Sequence, residues 1–109
     1  TGFKYPGHTE FIAALCDIET GVDHHPVMML VGGGLKVALA TIHIPLADVS
    51  NSLTQELLQR IVSNVDAALR RDFGIQKPKI AFAGVNPHAG EAGSIGREEI
   101  EVINPAAAL

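Results

Sequence analysis

The sequence holds a single cysteine, Cys16, among its 109 residues. No internal disulfide can form, which fits a reducing, cytoplasmic setting. A lone thiol next to Leu15 reads as a small apolar core residue rather than a nucleophile. Positive charge is also scarce: 8 Lys and Arg stand against 12 Asp and Glu, for a formal charge of -4. Binding nucleic acid by neutralising phosphates calls for the opposite balance, so no nucleic-acid partner is expected. No apolar run reaches the ~18 residues that a membrane span needs. The longest, Pro26 to Leu39, is broken by Gly32, Gly33, Gly34 and Lys36. Thr1 to Tyr5 lacks the apolar core of a secretory leader, so no membrane association is expected either. There is no initiator Met, no internal repeat and no low-complexity tract. Both termini are expected to be interruptions of something longer.

What is present suits one small domain. Hydrophobic residues make up 47% of the chain and charged residues 18%, enough to pack a core. Thr1 to Gly7 reads as a loop. Thr9 is placed to cap a short helix through Leu15, and Asp17 to Pro26 reads as a polar loop. Val27 to Val31 and Leu35 to Ile42, joined by glycines, predict a β-hairpin. Neither run alternates, so both faces are expected to be covered, as in a layered α/β sheet with flanking helices.

The strongest periodicity lies in Thr54 to Phe73. Leu53, Leu57, Ile61, Val65, Leu69 and Phe73 recur every fourth residue, with Leu58 and Val62 widening the stripe. This predicts an amphipathic helix, capped by Thr54 or Ser52 and closed at Gly74. Arg70 and Arg71 in its last turn complement the helix dipole. Ile80 to Val85 predicts a further strand reached by a crossover. Asn86 to Gly96 reads as a long loop, and a last helix is expected from about Arg97.

Three histidines sit at element ends: His8 at a helix start, His43 at the end of a strand and His88 just past another. In α/β folds ligand sites gather beyond the carboxyl ends of strands. Neutral imidazole is a common ligand for divalent transition metals, so His43 and His88 are candidates for one shared ion. Spacing alone does not establish the site, since neither H-x-x-x-H nor C-x-x-C occurs. The competing reading is a pair of loop histidines bonded to backbone. Gly90-x-x-Gly93-x-x-Gly96 ahead of a helix resembles an anion cradle. Glu91, Glu98 and Glu99 oppose that, and the glycines are expected chiefly to shape the turn. His24-His25 reads as an exposed pair, Met28-Met29 as strand core, and Ser94 has no evident His–Asp partners.

Taken together, Gly7-His8-Thr9-Glu10, Thr41-Ile42-His43-Ile44-Pro45-Leu46 and Asn86-Pro87-His88-Ala89-Gly90-Glu91 resemble the middle section of the 4-hydroxythreonine-4-phosphate dehydrogenase family. Val27-Met28-Met29-Leu30 and Gly96-Arg97-Glu98-Glu99-Ile100 match as well. The resemblance implies part of an isocitrate/isopropylmalate dehydrogenase-like fold. It also implies NAD-dependent oxidation of 4-phosphooxy-threonine, then decarboxylation, on the route to pyridoxal phosphate. In that family three histidines hold a divalent metal, such as zinc, magnesium or cobalt, between the subunits of a homodimer. His43 and His88 match two of them. His8 and Thr9 match positions that bind the phosphorylated hydroxy-acid substrate. The third histidine belongs to a Tyr-His-Asp-Gln motif that this sequence does not contain. Residues 1–109 are therefore expected to be a single fragment, the central part of a longer dehydrogenase-type chain. The alternative is a non-catalytic remnant or dimerisation module. A metal hydrolase built on His43 and His88 is weaker still, with only Glu91 as an evident base.

A chain this short and apolar has strand faces and edges to cover, which favours self-association. Light scattering of the purified chain at micromolar concentration is expected to give about twice 11.5 kDa, and a mass near 11.5 kDa would reject the homodimer.

Overall fold

The computed structural model describes residues 2–109, so any expectation for Thr1 lies outside the described residues. The chain divides into two compact units, one up to His43 and one from Ile44 to Leu109.

In the first unit, helix α1 spans His8–Thr20. It runs past the Leu15 boundary that the sequence suggested and takes in Asp17 to Thr20. Nothing between those positions breaks a helix, and Gly21 is the first residue able to turn left-handed without cost. Its φ is 70°, and its N–H closes on the Asp17 carbonyl at 2.9 Å. The N-cap is Gly7 rather than Thr9, and no side chain caps the first turn. Phe3 meets Tyr5 and Phe11 edge-on and Tyr5 lies tilted against Phe11, with centroids 5.5–6.0 Å apart, which folds the leading segment onto α1. Cys16, expected in the core, is exposed. Its face of the helix, with Ile12 and Leu15, points outward instead of packing.

Strands β1 (Met29–Gly32) and β2 (Leu35–Ala38) pair antiparallel, with Met29 opposite Ala38 and Gly32 opposite Leu35. Gly33 and Gly34 make the turn at φ 55° and 80°. A two-residue hairpin turn of this hand needs positive φ at both positions, which only glycine adopts freely. The ladder is shorter than the sequence runs, so His43 lies beyond a strand that ends at Ala38. The expected layered sheet reduces to this hairpin among the described residues. Its faces are open: Leu30 and Val31 are each 57% exposed and Leu35 is 65% exposed. Apolar runs without alternation signal strands meant to be covered, and the unit itself does not cover them.

In the second unit, a 3-10 turn (Leu46–Asp48) leads into the single-turn helix α2 (Val49–Ser52). Helix α3 follows over Gln55–Arg71. Thr54 caps it as expected, its hydroxyl accepting the Leu57 N–H at 3.1 Å. Gly74 at φ 69° closes it, with the Ile75 N–H reaching back to the Leu69 carbonyl at 3.0 Å. Leu58, Ile61, Val65 and Leu69 form the buried stripe. They pack on Ile103 and Ala106, which complete the core.

The final helix begins where expected but opens as a π turn, Glu99–Ile103, before α4 (Asn104–Ala107). Pro105 explains this. It has no N–H to give the Glu101 carbonyl, and its ring would press on that carbonyl in a regular helix. The Gln55 side chain bonds the freed carbonyl at 3.0 Å. Ile80 to Val85, expected as a strand, takes no strand pairing. A strand exists only through a ladder partner, and here the Val85 N–H is taken by Glu99 Oε1 at 2.9 Å.

Replacing the cap by Thr54→Ala should lower unfolding stability by about 1 kcal/mol. Leu58→Ala should cost about 2–5 kcal/mol through the cavity it leaves. Urea titration followed by circular dichroism checks both, with exposed Ser63→Ala as the neutral control.

Candidate metal and substrate site

His8 opens α1 and Thr9 follows it, so both sit in the first turn. The N-cap Gly7 has no side chain to cap that turn, and the helix dipole there favours negative charge, which the Glu10 carboxylate already supplies in part. The His8 ring lies against Phe3, centroids 5.8 Å apart. Glu10 comes next on the same turn, and its carboxylate turns to His43.

His43 sits at φ 54°, a left-handed conformation that a non-glycine residue adopts only when its surroundings hold it. Its Nδ1 lies 2.7 Å from Glu10 Oε1. The Glu10 carboxyl is held below the ordinary glutamate value, first by this bond from His43 and then by its own backbone N–H. An ionised carboxylate only accepts, so in the neutral form of the imidazole Nδ1 carries the proton and Nε2 keeps a lone pair. Glu10 Oε2 is buried with no hydrogen-bond partner. Gly7 packs directly on the ring: a Cβ there would stand 2.9 Å from His43 Cε1 and 3.2 Å from Glu10 Oε2.

His88 lies in the second unit and has the same arrangement. Its Nδ1 is 2.8 Å from Glu91 Oε1, and its backbone N–H bonds Asn86 Oδ1 at 2.9 Å. The loop that follows is wound left-handed: Ala89, Gly90, Glu91, Ala92 and Gly93 all have positive φ. Glu99 backs it. One carboxylate oxygen takes the Val85 N–H, and the other is buried and unpartnered against Gly90. Gly90 and Gly93 therefore shape the turn, and the Glu99 carboxylate works against an anion cradle there. Ser94 Oγ donates to the Glu91 carbonyl at 2.8 Å, a structural bond with no catalytic partner.

Each of the two candidate ligands thus has its Nδ1 occupied by a carboxylate. Carboxylate-bonded imidazoles with a bare Nε2 are what metal sites use, so these residues fit a divalent cation. The pairing alone is not diagnostic, because His24 Nδ1 also meets Asp17 Oδ1 at 2.8 Å. There Asp17 accepts the His24 backbone N–H as well, at 2.6 Å, and ties the loop after α1 back to the helix. Groups of three or more His, Cys, Asp or Glu placed to hold an ion do not occur among the described residues. His43 and His88 each belong to a separate compact unit. Glu91, three residues from His88, was open to sequence reasoning as its partner. Glu10, 33 residues from His43, was not.

A Cβ on Gly90 would collide with the Gly96 carbonyl oxygen and stand 2.8 Å from Glu99 Oε2. Gly90→Ala should therefore destabilise the chain by about 1–3 kcal/mol, from strain at positive φ and displaced backbone. Thermal unfolding against Gly2→Ala, where a Cβ meets nothing within 4 Å, checks it.

The described helices include none long and apolar enough to cross a membrane. The family model for pyridoxal phosphate biosynthetic protein PdxA matches residues 1–109. The chain is 52% identical over 108 residues to the 4-hydroxythreonine-4-phosphate dehydrogenase of Maricaulis maris, covering 98% of this chain and 32% of that protein. It is 54% identical over 98 residues to the enzyme of that name from Ruegeria sp., covering 90% of this chain and 28% of that one. The crystal structure of the Klebsiella pneumoniae 4-hydroxythreonine-4-phosphate dehydrogenase superposes with a TM-score of 0.81 at 43% identity, over 98% of this chain and 30% of that one. The chain thus spans about a third of the length of the relatives it matches. It belongs to the pyridoxal phosphate biosynthetic protein PdxA family, the 4-hydroxythreonine-4-phosphate dehydrogenases.

Proposed function

We propose that this chain is the central part of a metal- and NAD-dependent dehydrogenase that oxidises and decarboxylates 4-phosphooxy-threonine in pyridoxal phosphate biosynthesis. The observation that carries the metal reading is the shared state of His43 and His88. Each has Nδ1 on a carboxylate and Nε2 available, at positions matching two ligands of the family. The third ligand is supplied from outside these residues.

His43 and His88 would hold the cation through Nε2. When bound, such an ion would supply Lewis acidity toward a substrate hydroxyl or carbonyl, and a nicotinamide would supply the hydride acceptor. The part of this chain is to bind and orient. His8 and Thr9 receive the substrate phosphate at the start of α1, where the helix dipole favours an anion. Glu10 and Glu91 hold the two imidazoles, so that neither ligand rotates as the substrate enters. We place the whole protein in the isocitrate/isopropylmalate dehydrogenase-like fold, in the cytoplasm. We take it to be a homodimer, a reading supported by the open apolar faces of the hairpin at Leu30, Val31 and Leu35.

The test uses the complete protein that contains this sequence, purified with and without divalent metal. It should reduce NAD with 4-phosphooxy-threonine, and His43→Ala and His88→Ala should each lower kcat by at least about 100-fold and release the bound metal, read by elemental analysis. Wild-type activity in both variants, with metal content unchanged, would overturn the assignment. The isolated 109-residue chain should turn over no substrate.

A further inference from the structure

We infer that Glu10 is a positioning residue that fixes both the tautomer and the direction of His43, and so joins the substrate-binding turn to the metal. This rests on the reading of His43 as a metal ligand given above.

The geometry is local and over-determined. Glu10 Oε1 meets His43 Nδ1 at 2.7 Å, and the Glu10 side chain is only 22% exposed. The same carboxylate hangs from the first turn of α1, directly after His8 and Thr9. One hydrogen bond therefore joins that turn to the imidazole. Gly7 lies against the same Nδ1–Cε1 edge of the ring. Its backbone is extended, with φ at −163°, so no left-handed strain selects glycine there. What selects it is space, because a side chain would push on His43 Cε1. His43 itself is held at φ 54°. Glycine and carboxylate meet one edge of the imidazole, on strained backbone, and together set its orientation, with Nδ1 directed at Glu10. With Nδ1 protonated, Nε2 is left free to bind a cation without first losing a proton.

The role is distinct from that of Glu91, which sits three residues from its histidine inside a single loop. Glu10 reaches across 33 residues, so it ties two separate sequence motifs into one site.

The experiment uses the complete protein and three readouts. Nitrogen NMR of the metal-free wild type should show His43 as the Nδ1–H tautomer. A predominant Nε2–H tautomer would overturn the inference whatever any variant does. Cobalt(II) titration, followed by visible absorption, should show Glu10→Ala binding about 10–100-fold more weakly than wild type. Glu10→Gln, whose amide oxygen still accepts from Nδ1, should recover most of that loss. Gly7→Ala should weaken cobalt binding as well, by displacing the ring. Unchanged cobalt affinity in Glu10→Ala, with His43→Ala abolishing binding, would overturn the role of Glu10 while leaving His43 a ligand. Unchanged affinity in His43→Ala would overturn the metal reading itself.

Discussion

A neutral imidazole has one proton to share between two nitrogens, and a carboxylate at Nδ1 decides where that proton sits. In this protein Glu10 decides it for His43 and Glu91 decides it for His88. Much of the surrounding structure serves those two bonds. Helix α1 begins at His8 because Gly7 is extended and leaves room for the ring. The loop after His88 is wound tightly enough that Gly90 lies against the Gly96 carbonyl and Glu99, where no side chain fits. Residues with strained φ cluster on the two site segments, at His43, Ala89, Glu91 and Ala92. Backbone held in sparsely populated conformations persists only where neighbours over-determine it. Two of the four, His43 and Glu91, belong to the imidazole–carboxylate pairs of the proposed metal site.

Legibility in the sequence followed how local each feature is. Helix α3 was readable because cap, stripe and closing glycine all lie within about twenty residues and agree with one another. The hairpin turn was readable because two adjacent glycines leave the backbone few other uses. Ile80 to Val85 was not readable as it stands. Its apolar, β-branched composition asks for a strand, but a ladder needs a neighbour, and Glu99 takes the Val85 N–H instead. The end of α1 was misplaced at Leu15 although Gly21 carried the signal. The change from apolar to mixed residues after Cys16 marks a change of face rather than a boundary. The motifs disclosed the histidines and the family. They did not disclose the partner of His43, because a contact across 33 residues leaves no periodicity to read.

The exposed apolar residues follow the same logic at a larger scale. Ile18 at 79% and Leu46 at 89% exposure are side chains that composition would place inside. The chain spans about a third of the length of its relatives, and burial is a property of the whole assembly. The second unit nevertheless keeps a core of its own, in which Leu58, Ile61, Val65 and Leu69 meet Ile103 and Ala106. The first unit relies instead on an aromatic cluster and the Glu10–His43 bond.

The π turn at Glu99–Ile103 has a consequence for phase. In a regular α-helix, residues four apart lie on one face. Glu99 and Ile103 are four apart, yet Glu99 bonds the backbone before the His88 loop while Ile103 is buried against α3. The wider turn rotates the downstream residues relative to the upstream ones, so that one short segment serves both a polar loop and an apolar core. Removing a single residue from that turn and replacing Pro105 by alanine would restore regular winding and shorten the segment by little. It would also bring the two faces into step, so that the loop and the core could no longer both be satisfied.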